Sequence, residues 1–206
     1  YMQSHVAENR AEVEWVRELF PEARSYLDVY ARANLLHRRS VLAHGIWLDD
    51  DDRAALRRSG AHIAHSPSSN LFLGSGLFDW HAAVRSGTGV SLASDVGGGT
   101  SLSMIRTMAD AYKVQAMAGQ RLTAWKALHA ATLGAAQALL LADEIGSLEA
   151  GRVADVCIWD WATEPVGERR MAVARNLHEK LFAWLTLADD RNLVEARVAG
   201  VPRFQR

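Results

Sequence analysis

A chain of 206 residues can bury the core of one ordinary domain, or of one domain with a small appendage. Lys+Arg 23 against Asp+Glu 24 give a net charge of −1, so neither a nucleic-acid nor an anionic-membrane footprint is present. The longest apolar stretch, Ala135 to Ala142, is too short to span a bilayer and is interrupted by Gln137.

The opening Tyr1-Met2-Gln3-Ser4 is polar and runs straight into candidate chemistry, which predicts a start inside a larger protein. Ser40 to His44 reads as a short buried strand ending on a histidine. Asp49 to Ser59 reads as a helix, opened by acidic residues that suit its N-terminal dipole and closed by Gly60. A strand over Ala61 to His65 is predicted next, followed by a Pro/Ser/Asn/Gly loop through Gly76. Phe78 to Arg85 is predicted helical, Val90 to Ala93 a third strand, and Ser101 to about Ala118 a further helix after Gly97-Gly98-Gly99.

Strands that alternate with helices imply βα units and a parallel sheet. A (β/α)₈ barrel accounts for polar groups at strand ends, because its catalytic groups sit where strands pass into βα loops. His5, His44, His65 and Asp95 all fall at such ends, which a doubly wound sheet leaves unexplained. Beyond Leu141 the character changes: a turn-rich Ile145–Gly151, a strand-like Ala154–Asp160, a helix from Asn176 to Ala188 and a last strand from Glu195 to Val201. So few strands do not make a stable sheet by themselves, which predicts partner strands from elsewhere. The one cysteine, Cys157, reads as buried in Val156–Trp159. It excludes a disulfide framework and any Cys-rich or P-C-x-x-C zinc site, and leaves the cytoplasm as the default compartment.

His5 and Glu8 stand three apart in S-H-V-A-E-N: a histidine can offer a neutral imidazole to a metal, and a glutamate in the next loop can move protons. The same spacing also suits a helix start or a surface pair. His44, with Gly45 behind it, is a ligand-facing or a core histidine. His65, in H-I-A-H-S-P-S-S-N, is a loop organiser, with Ser68, Ser69 and Asn70 satisfying turn backbone, or a group that supports the site residues from behind. Asp95 presents a carboxylate before three glycines, and its alternative is a cap for the helix that follows. The glycines match neither phosphate-loop pattern. Histidines and carboxylates without thiolates suit a catalytic zinc or ferrous ion, so the residues by themselves lead to a metal-assisted hydrolase on half a barrel.

Four segments resemble the guanine deaminase branch of the amidohydrolase superfamily: S-H-V-A-E-N-R-A-E-V, S-V-L-A-H-G-I-W-L, H-I-A-H-S-P-S-S-N-L-F-L-G-S-G-L-F, and S-D-V-G-G-G-T-S-L-S-M-I-R-T-M-A-D-A-Y-K-V-Q. K-L-F-A-W-L-T-L-A-D-D-R-N is similar to the same branch, whereas I-G-S-L-E-A-G-R-V-A-D is shared by the wider superfamily. Ser66 and Ser94 stand where a cysteine and a threonine are common. The resemblance implies an α/β fold: residues 1–141 as strands five to eight of a TIM-type barrel, and 142–206 as one helix and strands of a small composite β-sandwich.

For the site, the resemblance implies one zinc, with iron(II) as the other candidate, held by His5 and Asp95. Glu8 would be the proton shuttle, His44 the holder of substrate and attacking water, and Asp95 also the base. All four, His5, Glu8, His44 and Asp95, would line the substrate. The reaction implied is hydrolytic deamination of guanine to xanthine and ammonia, by a cytoplasmic homodimer whose partner is a small purine. The family's H-x-H metal pair and Arg-Phe substrate clamp would lie upstream of Tyr1, so these residues alone are expected to be inactive. Another aminated or chlorinated heterocycle as substrate, or a non-catalytic fragment, are the rival readings.

Overall fold

A computed structural model describes residues 1–206. Strands β1 (Met2–Val6), β2 (Ser40–His44), β3 (His62–His65) and β4 (Gly89–Leu92) form a parallel sheet in that order. The register places Met2 opposite Ser40, Val41 opposite His62 and His62 opposite Gly89, so successive strands advance in step. Along β1, Gln3 and His5 are exposed while Val6 is buried, which puts His5 on the open face of the sheet.

Helices link the strands, and several are started by a side-chain cap. Asn9 caps α1 (Arg10–Leu19) by accepting from the Glu12 N–H, and Ser25 caps α2 (Tyr26–Arg32). Asp49 and Asp52 form a reciprocal capping box on α3 (Asp50–Ser59). Asp79 caps α5 (Trp80–Ser86) by accepting from the Ala82 N–H. A helix, α4 (Pro67–Phe72), occupies part of what the sequence predicts as loop, because proline at the first helical position is preorganised for a turn of helix. After β4 come α6 (Met104–Met117), α7 (Ala124–Ala131) and α8 (Leu133–Ala138). Leu56 of α3 and Ile105, Met108 and Ala111 of α6 meet Val6, Leu42, Ile63 and Leu92 of the sheet in one core.

The C-terminal stretch differs from expectation in three ways. It carries two α-helices rather than one, α9 (Pro165–Val173) and α10 (Leu177–Leu187). The predicted last strand is a hairpin of β6 (Leu193–Val198) and β7 (Val201–Gln205), which pairs with β5 (Val156–Trp159) in an antiparallel sheet ordered β5-β6-β7. Cys157 is exposed rather than buried: β5 is an outer strand of that sheet, and its neighbour Ile158, on the opposite face, is exposed as well. α10 packs on α6 and α7, with Phe182 edge-on to Tyr112 at 5.0 Å and Trp184 edge-on to Trp159 at 5.6 Å.

Candidate active site

Three residues just at or past strand ends hold left-handed backbone without being glycine: Ala7 (φ 47°), His44 (φ 70°) and Asp95 (φ 48°). Such conformations cost about 1–3 kcal/mol each and persist where surrounding structure enforces them, often at functional sites. Here the enforcement is visible. The Ala7 carbonyl accepts from the N–H groups of both Ile46 and Trp47, at 3.1 Å each, which locks the β1 and β2 ends together.

The consequence is a cluster. One ligand atom each of His5, His44 and Asp95 lie within 4.8 Å of one another. His44 Nε2 stands 3.7 Å from Glu8 Oε2 and 3.8 Å from Asp95 Oδ2, and the rings of His5 and His44 stack at 5.3 Å. All four residues singled out for chemistry therefore meet in one place. His44 is 1% exposed, and its Nδ1 is 2.8 Å from Asn70 Oδ1. An amide oxygen only accepts, so Nδ1 carries a proton, and in the neutral ring Nε2 keeps its lone pair. That buried Nε2 has no protein partner and faces two carboxylates. A lone pair in such a setting calls for a cation or a hydrogen-bond donor, so the donor set suits a metal ion with a water or substrate beside it.

Asn70 was predicted to satisfy turn backbone, and the structure corrects this: it orients His44, which lies 26 residues away in sequence. Ser68 bonds Thr100 across the loop at 2.9 Å. His65 does not organise the loop either. Its two ring nitrogens have no partner, and it is sealed against Phe78 at 4.7 Å. Burial first, and the neighbouring His44 second, push its pKa down from 6.5 to about 3, so it packs as a neutral aromatic.

Asp95 does not cap the following helix, whose N-cap is Ser103. The glycines after it make room instead. A Cβ at Gly98 would stand 2.8 Å from Ser69 Oγ and 3.2 Å from Asp95 Oδ2, so the carboxylate lies where a side chain would be. Ser75, which the sequence did not single out, donates from Oγ to Glu8 Oε1 at 3.0 Å. A cleft of about 630 Å³ lies between α3 and α5 beside Arg57, Arg58 and Arg85 and contains none of these groups.

Strand-end histidines and carboxylates on a parallel sheet form the kind of site that enzymes mount on βα loops. Residues 1–201 match the model of the Amidohydrolase family, and the chain belongs to that family. Among curated relatives, guanine deaminase of Escherichia coli (strain K12) is 36% identical over 206 residues, all of this chain and 47% of that protein. Guanine deaminase of Mus musculus is 35% identical over 97% of this chain and 46% of its own length. The chain thus spans about half the length of the curated relatives it matches.

Among solved structures, E. coli guanine deaminase superposes with a TM-score of 0.96 at 37% identity, over 98% of this chain and 47% of that one. Guanine deaminase from C. acetobutylicum, which holds guanine in its active site, gives 0.86 at 26% identity, over 98% and 48%. A zinc-bound adenosine deaminase from Xanthomonas campestris gives 0.86 at 25%, over 98% and 45%.

Proposed function

We propose that the full-length protein carrying this chain hydrolyses guanine to xanthine and ammonia. The observation that carries this reading is the meeting of His5, Glu8, His44 and Asp95 at the strand ends of a chain 36% identical to a guanine deaminase. A zinc ion, or iron(II) in its place, fits beside His5 and Asp95, given the unpartnered Nε2 of His44. Held there, it would supply the Lewis acidity that makes water nucleophilic near neutral pH.

The side chains do the rest. Glu8 delivers a proton to the purine ring nitrogen next to the carbon bearing the amino group. His44 holds the substrate and the attacking water through Nε2. Asp95 takes one of the water's protons and hands it to the exocyclic amine; the bond between the ring carbon and that amine then breaks as ammonia leaves, the water's oxygen becomes the new carbonyl oxygen, and its remaining proton restores Glu8. His5 completes the wall against which the purine lies. Residues 1–141 would be half of a closed (β/α)₈ barrel and 142–206 would contribute to a composite β-sandwich. The whole would work in the cytoplasm as a homodimer on small purines, without nucleic acid or membrane; no helix is long and apolar enough to cross one.

Ammonia release from guanine, adenosine, adenine and a chlorinated triazine tests the substrate. The adenosine arm matters because the adenosine deaminase matches this fold as well as one of the guanine deaminases does, each at a TM-score of 0.86. Guanine is expected to be preferred. Turnover of another member of the panel, with guanine untouched, would transfer the protein to a different specificity. Silence on all four would favour a non-catalytic role.

A further inference from the structure

We propose that Ser75 is a positioning residue that fixes the Glu8 carboxylate by one oxygen and thereby leaves the other facing His44. The inference rests on the deaminase reading, in which Glu8 carries the proton. Ser75 is 6% exposed, and its hydroxyl reaches Glu8 Oε1 at 3.0 Å across 67 residues of sequence. The second oxygen, Oε2, is then the one 3.7 Å from His44 Nε2. A glutamate has three side-chain torsions, and an unanchored one spreads its carboxylate over many positions. Tying down one oxygen removes most of that spread.

The hydroxyl is itself held rigidly. The Ser75 N–H donates to the Asn70 carbonyl at 2.9 Å, and the Ser75 carbonyl accepts from Trp47 Nε1 at 3.1 Å. Gly76, at φ 135°, lets the chain turn tightly under that indole: a Cβ there would sit 2.9 Å from Trp47 Cζ2. The Arg10 guanidinium lies over the Trp47 ring, 4.1 Å from its centroid. Asn70, at the other end of the same stretch, orients His44. The stretch from Asn70 to Ser75 therefore sets two of the groups that handle protons or water. A hydroxyl also suits a shuttle in both of its states, because it donates to the ionised carboxylate and accepts from the protonated one.

The test uses the full-length protein. Ser75→Ala is expected to lower kcat on guanine about tenfold to a hundredfold, the scale of a misplaced reacting group, with KM and metal content held. In a Glu8→Gln background the same change is expected to cost less than about twofold, because residues acting as one unit are not additive. A crystal structure of Ser75→Ala is expected to show Glu8 turned away from its present position. Equal losses in both backgrounds, or a Glu8 carboxylate that stays in place, would overturn the proposal. If the parent protein leaves guanine intact, the deaminase reading falls, and the position of Glu8 in the variant still decides the role of Ser75.

Discussion

Glu8 and Asp95 are carboxylates at nearly equal distances from His44 Nε2, 3.7 and 3.8 Å, yet their settings assign them different work. Glu8 spends one oxygen on Ser75 and lies on a loop that follows β1, so an amide of the same shape can replace it without dislodging its neighbours. Glu8→Gln is therefore expected to keep the metal and lose about 10²–10⁴ in turnover, the range for a general acid–base group. A variant with turnover near the parent's removes Glu8 from the mechanism. Asp95 serves both metal and proton, so Asp95→Asn should lower metal content and activity together. Since the following helix has Ser103, not Asp95, at its N-cap position, an unchanged metal content would count against the ligand role. His65 offers a test outside catalysis. Its pKa falls from 6.5 to about 3 on folding, so between those values the unfolded chain binds the extra proton. Stability is then complete above about pH 6.5 and declines as pH falls toward 3, by up to about 1.4 kcal/mol per pH unit. His65→Phe keeps a ring against Phe78 and should flatten that decline in urea titrations at several pH values. An equally steep acid loss in the variant would place the sensitivity elsewhere.

Elements were legible wherever local chemistry fixed both ends. β2 runs from Ser40 to His44 as read, and α3 begins after Asp49 and stops before Gly60, because acidic caps and a left-handed glycine are local signals. The hairpin was missed for a physical reason. Its two-residue turn is Ala199 (φ 50°) and Gly200 (φ 77°), and alanine rarely accepts the left-handed position that such a turn demands. α9 was missed because P-V-G-E-R-R-M carries a glycine and no apolar stripe, so it is packing on α10 that supports it. His5, His44 and Asp95 were legible as polar groups at strand ends and Glu8 as a carboxylate in the loop after the first of them, while their roles came from the family resemblance. Ser75 and the Asn70–His44 pair were not, since only the fold brings such distant positions together. Sheet packing gives a further prediction at Gly89, which is paired with His62 across β3 and β4. A Cβ there would lie 2.4 Å from His62 Nδ1, closer than atoms approach without a shift. Gly89→Ala should cost about 1–3 kcal/mol, the usual range for overpacking, and His62→Ala in the same protein should recover much of it. Chemical unfolding of the two variants decides. A Gly89→Ala protein as stable as its parent would mean that the ring moves aside freely.

The sheet order β1-β2-β3-β4 leaves the outer edges of β1 and β4 with backbone N–H and C=O groups that have no strand beside them. The antiparallel sheet has the same feature at β5 and β7. Exposed strand edges template pairing with other chains, and large apolar side chains such as Phe72 at 67% and Leu102 at 74% exposure add to that tendency. Metal binding points the same way. A catalytic zinc usually takes three protein ligands and keeps a position open for water, and the roles assigned here provide only His5 and Asp95. Enlisting His44 as the third would occupy the Nε2 that is assigned to substrate and water. These 206 residues, produced by themselves, are therefore expected to retain little zinc, to associate, and to release no ammonia from guanine above background. Metal analysis, light scattering and an ammonia assay on one preparation check all three. A monomer with one zinc per chain and measurable guanine turnover would refute the expectation. It would also reassign His44, because the cluster of His5, His44 and Asp95 would then be the complete ligand set, and the substrate would have to be held by other groups.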